Sequence, residues 1–243
     1  RKAPFRAFGF AYILLVIEMI VSHGKHYYMG AVYPILIAAG GVAIESWTRD
    51  RNLTRIAVTA YALVLGPVFI PFSLPVLSEP AFIAYEHGLQ AALHIPKGIT
   101  ATEHGRESSE LPGDWADMHG WRELAENVKQ HYDALPPAER KQAVVFASNY
   151  GEASAIAFFT PDVPVISGHN QYWLWGSRGF SGNVVIDVNG DCGADRHLFR
   201  SATRIGTFGT TYSIGYERDR PIMLCQGLTQ PWASVWAGVR EYI

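Results

Sequence analysis

The chain has 243 residues, a formal net charge of −2, 49% hydrophobic residues and only 17% charged ones. That length suits one large domain, or a membrane segment plus a smaller domain, and the charged fraction lies below the roughly one quarter usual for soluble proteins. No clustered basic face exists to engage a phosphate backbone, so nucleic acid is excluded as a partner class. The composition is also divided: the first 80 residues are almost continuously apolar, and nearly all Asp and Glu follow Glu79. The first residue is Arg1 rather than Met. A processed product or the tail of a longer protein is expected.

Three apolar stretches open the chain: Phe5–His23 with one interior acid, Glu18, then Met29–Trp47, then Leu53–Leu77. Each approaches the roughly 20 residues needed to cross a bilayer, and none has the polar stripe of a helix on a soluble domain. A signal peptide would explain the first stretch but not the other two, and no small-x-small cleavage pattern follows it. Three transmembrane helices, at about 5–23, 29–47 and 53–77, are therefore expected. Arg1, Lys2 and Arg6 flank one end of the first, and Arg49, Arg51 and Arg55 lie between the second and third. The positive-inside rule makes both places cytoplasmic, so everything after Ser78 is expected on the outer side. Pro67, Pro71 and Pro75 predict a bent or irregular outer end to the third helix. The sequon at Asn52 falls in the cytoplasmic loop and carries no weight.

Residues 79–112 read as a connector with little periodicity, and residues 113–243 as an α/β domain. Leu124, Val128 and Tyr132, spaced by four, predict an amphipathic helix over Gly120–Leu135. Ala143–Ser148, Val163–Ser167, Asn183–Val188 and Pro221–Gln226 read as strands, Tyr150–Phe159 as a helix, and a short helix closes the chain. Alternating strands and helices predict an extracytoplasmic α/β domain with a largely parallel sheet. Its two cysteines, Cys192 and Cys225, are either bridged in an oxidising compartment or are two buried thiols. No CxxC pair occurs, and His23 and His26 have no evident third partner, so no metal site is expected.

Several stretches taken in order resemble bacterial family 39 glycosyltransferases: "GKHYYMGAVYPILIAAG", "LPGDWADMHGW", "LPPAER", "NYGEASAIAFF" and "SGHNQYWLWG". Those proteins are relatives of the protein O-mannosyltransferases and of the lipid A aminoarabinose transferase. The resemblance runs from Gly24 to the C-terminus. It implies an integral membrane enzyme of the GT-C class, in a bacterial inner or plasma membrane, which moves a sugar from a polyprenyl-phosphate carrier to an acceptor at the outer face. It also implies that this chain corresponds to the last three helices and the outer domain. The catalytic acid of such enzymes lies in the first outer loop, so no catalytic residue is assigned here and the chain alone is expected to be inactive. No cofactor is assigned.

In "HGKHYY", at the outer mouth of the helices, a Lys beside Tyr hydroxyls is a suitable clamp for a lipid-linked phosphate. Interfacial anchoring selects the same residue types; the resemblance favours the phosphate role for Lys25, with Tyr28 as partner. Glu18 reads as structural. In "NYGEA", Asn149 and Glu152 stand at a strand-to-helix turn, and in "SGHN" His169 and Asn170 follow the next strand. Both turns fall at the C-terminal ends of strands, where ligands collect in α/β sheets, so these four residues form a candidate ligand rim. Helix-dipole stabilisation is the alternative for Glu152. In an extended "QYWLW", Trp173 and Trp175 share one face and Tyr172 and Leu174 the other, which predicts a packed aromatic layer rather than a sugar platform. The competing functional reading is a membrane-anchored extracytoplasmic sugar- or lipid-binding module without chemistry. Polyprenyl-phosphate sugar and the bilayer are the expected partners.

Overall fold

The computed structural model describes residues 6–22, 26–94, 110–194 and 197–242. Contacts divide the chain into two units, Arg1–Ser78 and Glu79–Ile243.

The first unit is helical. It comprises α1 (Arg6–Val21), a 3-10 segment (His26–Val32) that runs straight into α2 (Tyr33–Thr48), and α3 (Asn52–Ser73). The helical run Tyr28–Thr48, 21 residues, and α3, 22 residues, are long and apolar enough to cross a membrane. α1 has 16 residues, short of the roughly 20 that a span needs. Among the described residues two candidate spans thus stand where the apolar pattern predicts three. The first helix closes at Val21, where the Ser22 N–H and hydroxyl turn back to the Glu18 carbonyl at 2.8 and 2.7 Å. Ile13, Leu14, Ile37, Leu53 and Leu63 all face outward. Hydroxyls in this unit bond within their own helix, Thr48 to the Ile44 carbonyl and Ser46 to that of Ala43, both at 2.8 Å. Each hydroxyl is thereby satisfied within its own helix. α3 continues through Pro67 and Pro71 and ends before Leu74, whose extended backbone precedes Pro75 as sterics require.

The second unit begins with a helix inside the expected connector. α4 (Glu79–Leu93) is built of Ala, Leu, Gln and Glu, good helix formers, with Pro80 in its first turn. It has no clean apolar stripe, which is why its pattern reads as irregular. Its Phe82 is fully buried and stacks on Trp115 at 4.6 Å between ring centroids. Trp115 lies in the short α5 (Gly113–Ala116). Then come α6 (Trp121–Ala134), α7 (Pro137–Arg140), β1 (Ala143–Ala147), α8 (Tyr150–Phe159), β2 (Val165–Ser167), α9 (Gln171–Leu174), β3 (Val184–Val188), β4 (Phe199–Phe208), β5 (Arg220–Leu228) and α10 (Trp232–Gly238).

The five strands form one sheet in the order β2-β1-β3-β5-β4. β1 pairs in parallel with β2 and β3, while β5 runs antiparallel to both β3 and β4. The sheet is therefore mixed rather than largely parallel. The difference arises at β4, whose sequence FRSATRIGTF carries no buried apolar run because it is an exposed edge strand. Arg200 and Arg204 along it suit an unpaired edge. With β4 inserted, the connection from β3 to β5 is no longer a helical crossover, and β5 enters antiparallel.

Alternation along the strands builds two cores. Val145, Ala147, Val184, Ile186 and Val188 face α6 and α8, meeting Leu124, Val128 and Ile156. Val144 and Val185 face the other way, toward Trp232 and Trp236 of α10. On that side Cys192 and Cys225 form a disulfide with 5.7 Å between their Cα atoms. The bridge spans 33 residues, for which unfolded-state loop entropy corresponds to about 3–4 kcal/mol. Reduction with dithiothreitol is expected to lower the unfolding free energy of the second unit by about that amount. Urea titrations of the oxidised and reduced chain, followed by tryptophan fluorescence, check this.

Candidate functional site

The strand β1 ends at Ala147, and the chain turns through Ser148 and Asn149 into α8. The turn is locked by a reciprocal cap. The Asn149 side chain accepts the Glu152 N–H at 2.9 Å, and the Glu152 carboxylate accepts the N–H of Ser148 at 2.7 Å and that of Asn149 at 3.4 Å. This is a capping box, with Asn at the cap and Glu three residues on. The Ser148 hydroxyl adds a third donor to the same oxygen at 3.0 Å.

Two further segments converge on Glu152. Asn189, just past β3, donates from its side-chain amide to the other Glu152 oxygen at 3.2 Å. Its backbone sits at φ +62°, a left-handed conformation that Asn tolerates better than most residues. From the loop before β5 comes Glu217, whose carboxyl is hydrogen-bonded to that of Glu152 and accepts the Asn149 side-chain amide at 2.9 Å. Tyr216 beside it donates its hydroxyl to Asp117 at 3.2 Å.

Glu152 and Glu217 are 0% and 3% exposed. Two buried carboxyls hydrogen-bonded to each other cannot both be charged, so the pair shares a proton. Hydrogen bonding assigns it. Glu152 accepts from backbone N–H, hydroxyl and amide donors, which stabilises its charged form, so Glu217 keeps the proton and donates it to Glu152. Burial, reinforced by the Glu152 charge, pushes the Glu217 carboxyl up to about 9. Burial also raises Glu152, opposed by the hydrogen bonds from Glu217, Ser148 and Asn189.

The second expected turn meets the first. The His169 Nδ1 accepts the Tyr150 N–H at 3.3 Å, and the two rings lie 4.9 Å apart. An accepting Nδ1 puts the proton of the neutral ring on Nε2, which is buried with no hydrogen-bond partner. Burial lowers the His169 pKa, against the charge of Glu241. Asn170 turns away at φ +49°, and its N–H donates to the Glu241 carbonyl at 2.8 Å while the Glu241 N–H donates to Gly168 at 3.0 Å. "SGHN" is thus a backbone dock for residues 239–241. Gly168 makes it possible: a Cβ there would stand 1.9 Å from the Val239 carbonyl oxygen.

The structure therefore brings Asn149 and Glu152 into one network with Ser148, Asn189 and Glu217, and sets His169 against its edge. The backbone of Asn170 pairs with the C-terminal segment. The aromatic strip is not extended, because the turn at Asn170 starts the helical turn α9. Trp173 donates its indole N–H to the Trp236 carbonyl at 3.0 Å, and Trp236 returns one to Trp173 at 3.3 Å. Trp175, on the same expected face, is exposed with Arg178 5.7 Å above its ring. Lys25 lies outside the described residues, and Tyr28 is an exposed residue at the start of the run Tyr28–Thr48. Asp187, Cys192 and Cys225 cluster within 4.8 Å, but both sulfurs are in the disulfide, so they are not thiolate ligands for a metal.

No protein-family model, curated protein or solved structure matches the chain.

A protonated native Glu217 has a definite consequence for stability. Its pKa is raised above that of the unfolded chain, so its contribution is complete below the ordinary carboxylate range and declines as pH rises toward about 9. Glu217→Gln keeps a neutral donor in place and is expected to flatten this decline, melting above the wild type at pH 8 and near it at pH 4. Thermal melts of both proteins across pH check the sign. Gly168→Ala is expected to cost about 2 kcal/mol or more by displacing the C-terminal segment, read by urea unfolding.

Proposed function

We propose that this chain is the membrane-anchored C-terminal portion of a glycosyltransferase that moves a sugar from a polyprenyl-phosphate donor to an acceptor at the outer face of a bacterial membrane. In this reading three helices cross the bilayer, and the α/β unit lies on the extracytoplasmic side. The observation that carries it is the pairing of two lipid-length apolar helical runs with a disulfide-closed α/β unit in one chain. Disulfides persist in oxidising compartments, and the basic turn between α2 and α3 belongs on the opposite side. There Arg51 stands 6.0 Å from the centre of the Trp47 ring, and Trp is a residue enriched at membrane boundaries. The sugar and its carrier come from the resemblance of the motifs quoted above.

Lys25 and Tyr28 hold the donor phosphate in this reading, at the outer mouth of the helices. Glu152 and Glu217 are not its catalytic acids: both are buried and hydrogen-bonded inward, so neither reaches a sugar in a cleft. That same observation favours a second reading, an anchored binding module without chemistry.

The chain in lipid nanodiscs is expected to bind a polyprenyl-phosphate sugar at least about tenfold, or ~1.4 kcal/mol, more tightly than the neutral polyprenol. Lys25→Ala is expected to remove most of that difference. Equal affinity for the charged and neutral lipids would overturn the donor reading. An enzyme that carries these segments should also release polyprenyl phosphate when given donor and acceptor; binding without release supports the anchored module instead.

A further inference from the structure

The sheet face opposite α6 and α8 holds a cavity of about 190 Å³ beside the end of β3. Strand alternation brings Phe146 and Ser148 from the β1 edge and Asp187 from β3 to this side, while Leu198, Phe199 and Trp232 supply walls. A cavity of about 150 Å³ holds a benzene ring, so this one has room for a six-membered ring with a short substituent.

Its polar chemistry is one-sided. Asp187 is 7% exposed, and one of its oxygens accepts the Cys192 N–H at 2.8 Å. The loop closes tightly over the carboxyl: a Cβ on Gly190 would stand 2.2 and 2.4 Å from its two oxygens. Asp187 and Asp191 are the charged side chains that line the space among the described residues, and no described Lys, Arg or His lines it beside them. Trp232 keeps its indole N–H buried and unpartnered. The Cys192–Cys225 disulfide forms part of the wall and leaves no thiolate for a metal ion.

We infer that this cavity is a binding site for a small organic ammonium ion with an apolar body of about one ring, its nitrogen on Asp187 and its body against Phe146 and Trp232. A carboxyl set among apolar walls gains a partner only from a donor, and a cation gains most. The site is independent of the glycosyltransferase reading and faces away from the α6–α8 core.

Protonation follows from the surroundings. Burial pushes Asp187 up to about 7, opposed by the Cys192 N–H and reinforced by the charges of Asp191 and Glu152. An ammonium ion binds the ionised carboxylate, so affinity falls as pH drops below about 7. Between pH 8 and pH 6 the loss is about tenfold.

Calorimetric titration of the full chain in nanodiscs with benzylamine, benzyl alcohol and benzoate tests the inference. At pH 8 benzylamine is expected to bind saturably, at least about tenfold more tightly than benzyl alcohol, and benzoate not at all. Asp187→Asn should reduce benzylamine to the level of the alcohol. Leu198→Trp, which fills the cavity and leaves Asp187 in place, should abolish saturable binding. If Asp187→Asn does not fold, the pH series on the wild type decides. Absence of saturable benzylamine binding, equal binding of amine and alcohol, pH-independent affinity, or binding undiminished in Leu198→Trp would each overturn it.

Discussion

The Glu152 carboxylate is the tie on which the second unit depends. It binds the turn after β1, the exit of β3 through Asn189, and the loop before β5 through Glu217. Three segments distant in sequence thereby meet at one edge of the sheet, where backbone pairing has ended. A charge held this deep is stable only while its donors are present. Withdrawing any one leaves the others arranged around a poorly compensated anion. The edge therefore behaves as a cooperative unit rather than as a set of loops. Where α/β folds usually admit a ligand, this one seals its strand ends with its own acids and amides. The cavity lies on the sheet face below, with Ser148 and Asp187 in its lining.

The first unit obeys a different constraint. Many of its large apolar side chains turn outward, and the Ser22, Ser46 and Thr48 hydroxyls are satisfied by carbonyls of their own helices. Such helices need no neighbouring polar group, as the hydrocarbon region of a bilayer demands. The two units thus divide the chemistry of the chain: one confines polarity to its own backbone, and the other concentrates it at a few buried points.

Legibility in the sequence followed burial. β1, β2, β3 and β5 were readable because short apolar β-branched runs report a buried strand, and α6 because its spacing by four reports a one-sided helix. β4 was not, since an exposed edge strand has no apolar run to show. α4 was not, since it buries Phe82 and Glu86 without a continuous stripe. With β4 hidden, the alternation of strands and helices points to a largely parallel sheet, whereas β5 runs antiparallel to both its neighbours. At the rim, Asn149 and Glu152 were legible from their three-residue spacing. Glu217 was not: 68 residues separate it from Asn149, and nothing local in GYERDRP marks a carboxyl destined for burial. Trp173 and Trp175 were assigned to one face by strand alternation, which lapsed when Asn170 turned the chain into a helix.

The disulfide has a consequence for strand alignment. Sheets fix their register by burying one face, since a slip of one residue exchanges the two faces. β4 is largely exposed and β5 only half-buried along most of its length, so side-chain burial alone discriminates weakly among their possible alignments. Cys225 lies in β5 opposite Val185 of β3, and its bond to Cys192 fixes that position relative to the loop leaving β3. A slide of β5 along β3 would carry the sulfur out of reach. The register of β4, which pairs with β5 alone, is set separately by its own ladder with β5. One covalent bond thus holds the offset of β5 against β3, as a pin sets two sliding rules.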